Sequence, residues 1–197
     1  SRAGSASPRA RLLGSESYEN LAEFIGSIPS GYKLSKRQAF SNYIEVWLEK
    51  ATLERLFYRI TDKYDVGLLV TRGQISWTAL KEASERLPDD SVILYFGDND
   101  KYGRRIYDSI QEFLGQLGCY PEFERPALTD EQEARFRFPA GEHHLDGMPE
   151  DELQRILESS IQQYLDQGKF RELCDKEEQD LAKLQKILEE TAEEQED

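Results

Sequence analysis

The chain of 197 residues carries ten Tyr, nine Phe and two Trp, more large apolar side chains than an unfolded chain holds, and a formal net charge of −14. Its apolar runs fall well short of the ~20 residues that span a bilayer, and no charged and then apolar leader opens it, so the expectation is a soluble, cytoplasmic protein with no membrane partner. Cys119 and Cys174 stand far apart with no Cys or His at metal spacing, which argues against a disulfide framework or a zinc site and fits a reducing compartment.

The charge is unevenly spread. Residues 1–140 hold 19 Lys and Arg against 21 Asp and Glu, whereas residues 141–197 hold 6 against 18, so the acidity belongs to the tail. A nearly neutral body keeps DNA open as a partner, and Lys101, Arg104 and Arg105 stand together in that body.

Residues 1–14 are mostly Ser, Gly, Ala and Arg without periodicity and read as disordered; Arg2, Arg9 and Arg11 are either a solvated tail or contacts for nucleic acid. Ser17–Ile28 repeats Leu21, Phe24, Ile25 and Ile28 at helical spacing and meets Pro29 and Gly31, predicting a short helix on the edge of the domain. Tyr43–Leu48 is rich in strand formers, with Glu45 expected to point outward, and runs into Glu49 before a helix over Ala51–Tyr64. Val66–Thr71 is the next strand, followed by the turn Arg72-Gly73 and a helix over Ser76–Leu87. Val92–Phe96 is a continuous apolar run, the pattern of a strand buried on both faces, and ends at Gly97. Asp98 and Asp100 follow on a turn that Gly103 closes before a helix over Arg104–Leu117. Three alternations of strand and helix predict an α/β fold with a doubly wound sheet of about four mostly parallel strands, the fourth an edge strand within residues 118–127.

Beyond it, Thr129 with Glu131–Glu133 reads as a helix cap and first turn, and Phe136–His144 as a loop with His143 and His144 in solvent. Pro149–Leu165 is an amphipathic helix broken near Gly168, and Leu173–Leu188 a second one with a narrow seam of Leu181, Leu184, Ile187 and Leu188; residues from Thr191 fray. The organisation expected is a disordered N-terminus plus short helix over 1–40, an α/β domain over 41–148 and acidic C-terminal helices over 149–197. The seam is too short for a coiled coil, leaving it to pack back onto the domain, to pair with a second copy or to dock a protein partner.

The chemistry gathers at the strand ends. If the first and third strands are neighbours, Glu49, Asp98 and Asp100 meet above the carboxyl edge of the sheet, where open α/β sheets bind ligands. Three carboxylates make a hard-oxygen site suited to Mg²⁺, with Mn²⁺ as a substitute, and such an ion stabilises charge on a phosphate. An Asp after a strand is also a common helix cap, and D-x-D occurs in phosphatases and sugar transferases as well. The phosphatase pattern wants a Thr soon after the second Asp, where this chain has Lys101 and Tyr102.

These residues carry a resemblance. Trp47-Leu48-Glu49-Lys50-Ala51-Thr52-Leu53, Thr71-Arg72-Gly73-Gln74-Ile75-Ser76 and Gly97-Asp98-Asn99-Asp100-Lys101-Tyr102-Gly103 are similar, in order and context, to three motifs of the Toprim domain. The version resembled is that of the A subunit of type IIB (topoisomerase VI-like) enzymes and of small bacterial and phage proteins. Glu124-Arg125-Pro126-Ala127-Leu128-Thr129 and His144-Leu145-Asp146-Gly147-Met148 resemble the continuation in the small proteins, so the likeness covers Tyr43–Leu165. It implies a Mg²⁺-binding core with Glu49, Asp98 and Asp100 as ligands and catalytic groups, Glu49 doubling as general acid or base, and Arg72 on phosphate or paired with a carboxylate. Asp146 is then either a second-metal ligand or a cap for the helix from Pro149. Lys101-Tyr102 departs from the family's Pro-Ser and puts a cation beside the metal site, with Arg104 and Arg105 also placed for DNA. The nucleophilic tyrosine of the topoisomerases lies in a winged-helix domain that residues 1–40 are too few to form. The expected activity is therefore a hydrolytic nuclease acting on DNA; the alternatives are a non-catalytic binding module, or a subunit of a topoisomerase-like complex.

Overall fold

The computed structural model describes residues 17–73, 75–138 and 143–193. These fall into two compact units, one of Leu34–Lys176 and a smaller one that joins the residues up to Lys33 to those from Glu177 onward. The tail with Arg2, Arg9 and Arg11, Gln74 of the second motif, residues 139–142 of the loop and residues 194–197 lie outside the described residues.

Four strands, β1 (Tyr43–Leu48), β2 (Gly67–Val70), β3 (Ser91–Phe96) and β4 (Glu122–Ala127), form one sheet in the order β2-β1-β3-β4, with every pair parallel. The expected α/β class and four-stranded, doubly wound sheet are the architecture observed. From β1 the chain moves to β2 through α2 (Glu54–Tyr64), crosses back past β1 through α3 (Trp77–Arg86) to β3, and continues through α4 (Lys101–Gln116) to β4. The winding therefore reverses between β1 and β3. In register, Leu48 lies beside Phe96, so the two strands end level with each other at the crevice where such sheets bind ligands.

Alternation sorts the strand residues between two cores. Ile44, Val46 and Leu48 join Val92, Leu94 and Phe96 against Phe57 and Ile60 of α2 and Leu153, Leu157 and Ile161 of α6 (Glu150–Gln162). Trp47, Ile93 and Tyr95 face Leu80 and Ala83 of α3 and Ile106, Ile110 and Leu114 of α4. Both faces of the sheet are covered, which is why β3 reads as an unbroken apolar run. Helix α6 thus belongs to the core of the α/β unit; Leu157 is fully buried, and truncating such a residue to Ala costs about 2–5 kcal/mol.

The same covering corrects the outward placement of Glu45. It is buried on the α3 face, where Arg86 pairs with it in bidentate fashion, Nε at 2.7 Å and Nη2 at 2.9 Å, while Trp47 Nε1 donates at 3.0 Å and Tyr43 Oη at 2.9 Å. Polarity predicts a solvent face only where one exists. Here the charge goes inside because every lone-pair direction meets a donor.

Helix ends follow local hydrogen bonding. Helix α4 begins at Lys101, three residues before the expected start, because the Asp100 carboxylate accepts the Gly103 N–H at 2.6 Å as an N-cap. A reciprocal capping box between Thr129 and Gln132 opens α5 (Asp130–Phe136). The break expected near Gly168 lies earlier: Asp166 Oδ1 accepts from the Gly168 and Lys169 N–H groups, so Gly168 sits in the first turn of α7 (Gln167–Glu193). In the smaller unit, α1 (Leu21–Gly31) runs through Pro29, whose missing N–H falls in the last turn, where the helix is about to end. Tyr32 Oη donates to Asp180 Oδ2 at 3.0 Å in that unit, and Leu181, Leu184 and Leu188 of the α7 seam are half-buried. No helix of the described residues is long and apolar enough to cross a membrane.

Candidate metal centre

Strand pairing continues past the ends of the strands and sets the site. Glu49 N–H donates to Phe96 O at 2.9 Å, Gly97 N–H to Ala127 O at 3.1 Å and Leu128 N–H to Gly97 O at 3.0 Å. Glu49 is thereby held beside the turn that starts at Gly97. Its Oε2 accepts from Asp98 N–H at 3.1 Å and from Tyr95 Oη at 3.2 Å. Burial pushes the Glu49 carboxyl above its usual range, and the nearby Asp98 charge adds to this against the two hydrogen bonds.

Two glycines allow the close fit. A Cβ on Gly97 would stand 2.5 Å from Glu49 Oε2 and 2.5 Å from the Tyr95 ring, and a Cβ on Gly103 would collide with the Asp98 carbonyl. Gly103 therefore does not close the turn, as its position before a helical pattern predicts. It lies inside the first turn of α4 and lets that helix end pack onto Asp98.

Asp98 is buried at the centre of the cluster. Its Oδ1 accepts Leu145 N–H at 2.8 Å, and its Oδ2 meets Lys50 Nζ at 2.8 Å and His144 Nδ1 at 3.0 Å. Burial opposes its charge, but Lys50, His144 and the Leu145 N–H outweigh that and hold the carboxyl below its usual range. The same contacts raise the pKa of His144, through its bond to Asp98, and that of Lys50, where the Asp98 bond overcomes partial burial. The His144 segment is tied down separately, since Asn99 N–H donates to His143 O at 2.8 Å.

Donor atoms of Asp98, Asp100 and His144 all lie within 4.8 Å of one another, a geometry that can hold one metal ion. Two carboxylates with one imidazole fit a divalent cation of the Mn²⁺ type readily, and fit Mg²⁺ through the two carboxylates with water completing the shell. Glu49 lies next to this set through the Asp98 backbone, and Asp146 reaches it only through Lys50, at 3.9 Å. No protein-family model matches the chain, and no curated protein or solved structure matches it either. The geometry carries the functional reading.

The expected DNA-contacting cations are divided among different tasks. Arg72, left-handed at φ 52°, is exposed and lies 3.7 Å from Glu54 at the start of α2. Arg104 donates from Nε to Asn99 O at 3.2 Å and from Nη2 to Asp130 Oδ1 at 2.5 Å, bracing the turn. Lys101 and Arg105 are exposed on the first turns of α4.

Three contributors escape sequence reasoning. His144 sits in a loop whose path over Asp98 no periodicity predicts. Lys50 follows Glu49 without any sign that it bridges to Asp98. Arg125 reaches from β4 to donate to the Asp98 and Gly97 carbonyls, with its guanidinium 5.6 Å above the Tyr107 ring. The likeness of the Glu124–Thr129 and His144–Met148 segments to one family's continuation is the one signal that could have found His144 and Arg125.

Proposed function

We propose that this chain is a Toprim-type protein that hydrolyses DNA phosphodiesters with a divalent cation, Mg²⁺ or Mn²⁺, held by Asp98 and Asp100. The observation that supports this most is the meeting of Asp98, Asp100 and His144 beside Glu49 at the point where the winding of the sheet reverses. A cation bound there supplies stabilisation of negative charge on the phosphate oxygens. Asp98 is positioned for it by Lys50 and Leu145 N–H, and Asp100 by its place as the cap of α4. Glu49, beside them, has the position that the resemblance gives to the group exchanging a proton with the scissile oxygen. Lys101, Arg105 and Arg72 present positive charge to the strand, and water is the nucleophile. The two unpaired cysteines fit work in the reducing cytoplasm.

The test is cleavage of supercoiled plasmid with Mg²⁺ or Mn²⁺ by the wild-type chain, by Asp98→Asn and by Asp100→Asn, with the product ends assayed for attached protein. Asparagine caps a helix as well as aspartate does, so Asp100→Asn removes the charge and keeps α4. Cleavage that needs the cation and both aspartates and leaves free ends is the expected result. Inert wild type, or protein-linked ends, overturns the reading.

One observation favours a second reading, a module that binds DNA or a protein without cutting. Lys50 Nζ, at 2.8 Å, neutralises Asp98 with the chain's own cation. In that case wild type and variants are equally inert, and the α7 seam is the first place to look for a partner or a second copy.

A further inference from the structure

Beside the metal centre a cleft of about 400 Å³ opens between α4 and the segment that leads into α3, lined by Ile75, Tyr102, Arg105, Ile106 and Phe113 among others. Tyr102, Arg105, Ile106 and Phe113 recur at helical spacing along one side of α4. Phe113 meets Trp77 of α3 edge to face, with ring centroids 5.7 Å apart. Tyr102, Trp77 and Phe113 are all exposed and stand close together, whereas Tyr58 and Tyr120, the other exposed aromatics of the larger unit, lie outside this cleft. Apolar rings gathered in a concave site with one cation at the rim have the composition of a ligand site rather than of a scattered surface.

Its position narrows the ligand. Asp100 caps the helix that carries Tyr102, and two residues advance about 3 Å along a helix axis, so the cleft begins within one turn of a metal-ligand candidate. Arg104 is spent on Asp130, whereas Arg105, on the cleft, has no carboxylate partner among the described residues. Aromatic faces beside a free guanidinium recognise a flat base next to a phosphate. An apolar peptide would desolvate Arg105 without offering it an anion.

We propose that this cleft takes one unpaired nucleobase of a DNA strand, stacked on Tyr102 over the apolar floor of Ile75 and Ile106, with Arg105 on the adjoining phosphate. The inference rests on the reading of the chain as a protein that acts on DNA, and it specifies the form of DNA. A base inside a duplex is not available to such a site, so single strands and frayed ends are preferred.

The cleft carries its own reporter. The chain has two tryptophans; Trp47 is fully buried, and Trp77 is exposed with its ring against that of Phe113, which lines the cleft. The experiment is a tryptophan-fluorescence titration of the full chain with a short oligothymidylate, in EDTA so that neither cation nor cleavage is needed. Saturable quenching is expected, weakened about ten-fold by Tyr102→Ala and by Arg105→Ala, and kept within about two-fold by Tyr102→Phe, which retains the ring. Blunt duplex of the same length should bind at least about ten-fold more weakly. Absence of quenching, Tyr102→Ala binding like wild type, or duplex binding as tightly as single strand overturns the proposal; oligouridylate binding more tightly overturns the assignment to DNA. The two readings fail separately. Cation-dependent cleavage with Tyr102→Ala binding unchanged removes the base cleft and leaves the nuclease, whereas Tyr102-dependent binding with no cleavage supports the cleft and removes the nuclease.

Discussion

Glu45 in the middle of β1 and Glu49 just past its end are both buried, yet they stand in opposite electrostatic settings. Around Glu45 the fold gathers a bidentate Arg86, an indole N–H and a phenol. Burial alone would push that carboxyl up, but Arg86, Trp47 and Tyr43 together hold it below its usual range. Among the described residues Glu49 receives only a backbone N–H and the Tyr95 hydroxyl, and the neighbouring lysine bonds to Asp98 instead, so burial wins and its carboxyl is pushed up. A charge that only has to be stored inside the fold is given a cation. At the strand end, Glu49 has two hydrogen bonds but no cation bonded to it among the described residues, and carboxyls with raised pKa are frequent among groups that do chemistry.

The contrast can be broken by mutation, and the effects on stability should fall in a definite order. Glu45→Gln strands the Arg86 charge, and urea unfolding should show a loss of about 3 kcal/mol, toward the low end for buried pairs because Arg86 is partly exposed. Since the folded pKa of Glu45 is depressed, wild type should hold this advantage in full above the ordinary carboxylate range and lose it as pH falls through the folded value. The gap between the two unfolding midpoints should therefore shrink in acid. Gly103→Ala forces the first turn of α4 off the Asp98 carbonyl and should cost about 2 kcal/mol in the same assay, while also weakening Mn²⁺ binding. Asp100→Ala should cost about 1 kcal/mol through the lost cap, and Asp100→Asn almost nothing. Glu49→Gln, whose amide oxygen still accepts from Asp98 N–H and Tyr95 Oη, should leave stability within about 0.5 kcal/mol and yet lower plasmid cleavage about a hundredfold or more. A large stability loss in Glu49→Gln would place the two glutamates in the same class and remove the contrast.

Much of the fold was legible because strand and helix periods alternate cleanly from Tyr43 to Leu117, and because β3 is apolar at every position past Ser91. The carboxyl ends of β1 and β3 could be named as a site because only their adjacency had to be supplied, and the reversal of winding supplies it. Glu45 was misplaced since alternation records which residue differs from its neighbours and not which side is covered. The start of α4 was misread for a related reason. Asp100 is both a cap and a metal-ligand candidate, and Gly103 looks like a turn residue until the backbone it packs against is known. His144 and Arg125 come from segments distant along the chain, and their approach to Asp98 is set by tertiary packing that one sequence does not display.

The most direct test of the central claim is a Mn²⁺ titration of the full chain, with free ion followed by electron paramagnetic resonance, for wild type and Asp100→Asn side by side. One bound ion per chain in wild type, lost in a variant that unfolds at the same urea concentration, is expected if Asp98 and Asp100 hold the cation. No binding by wild type, or equal binding by both, would contradict it and leave Asp100 as a helix cap and nothing more.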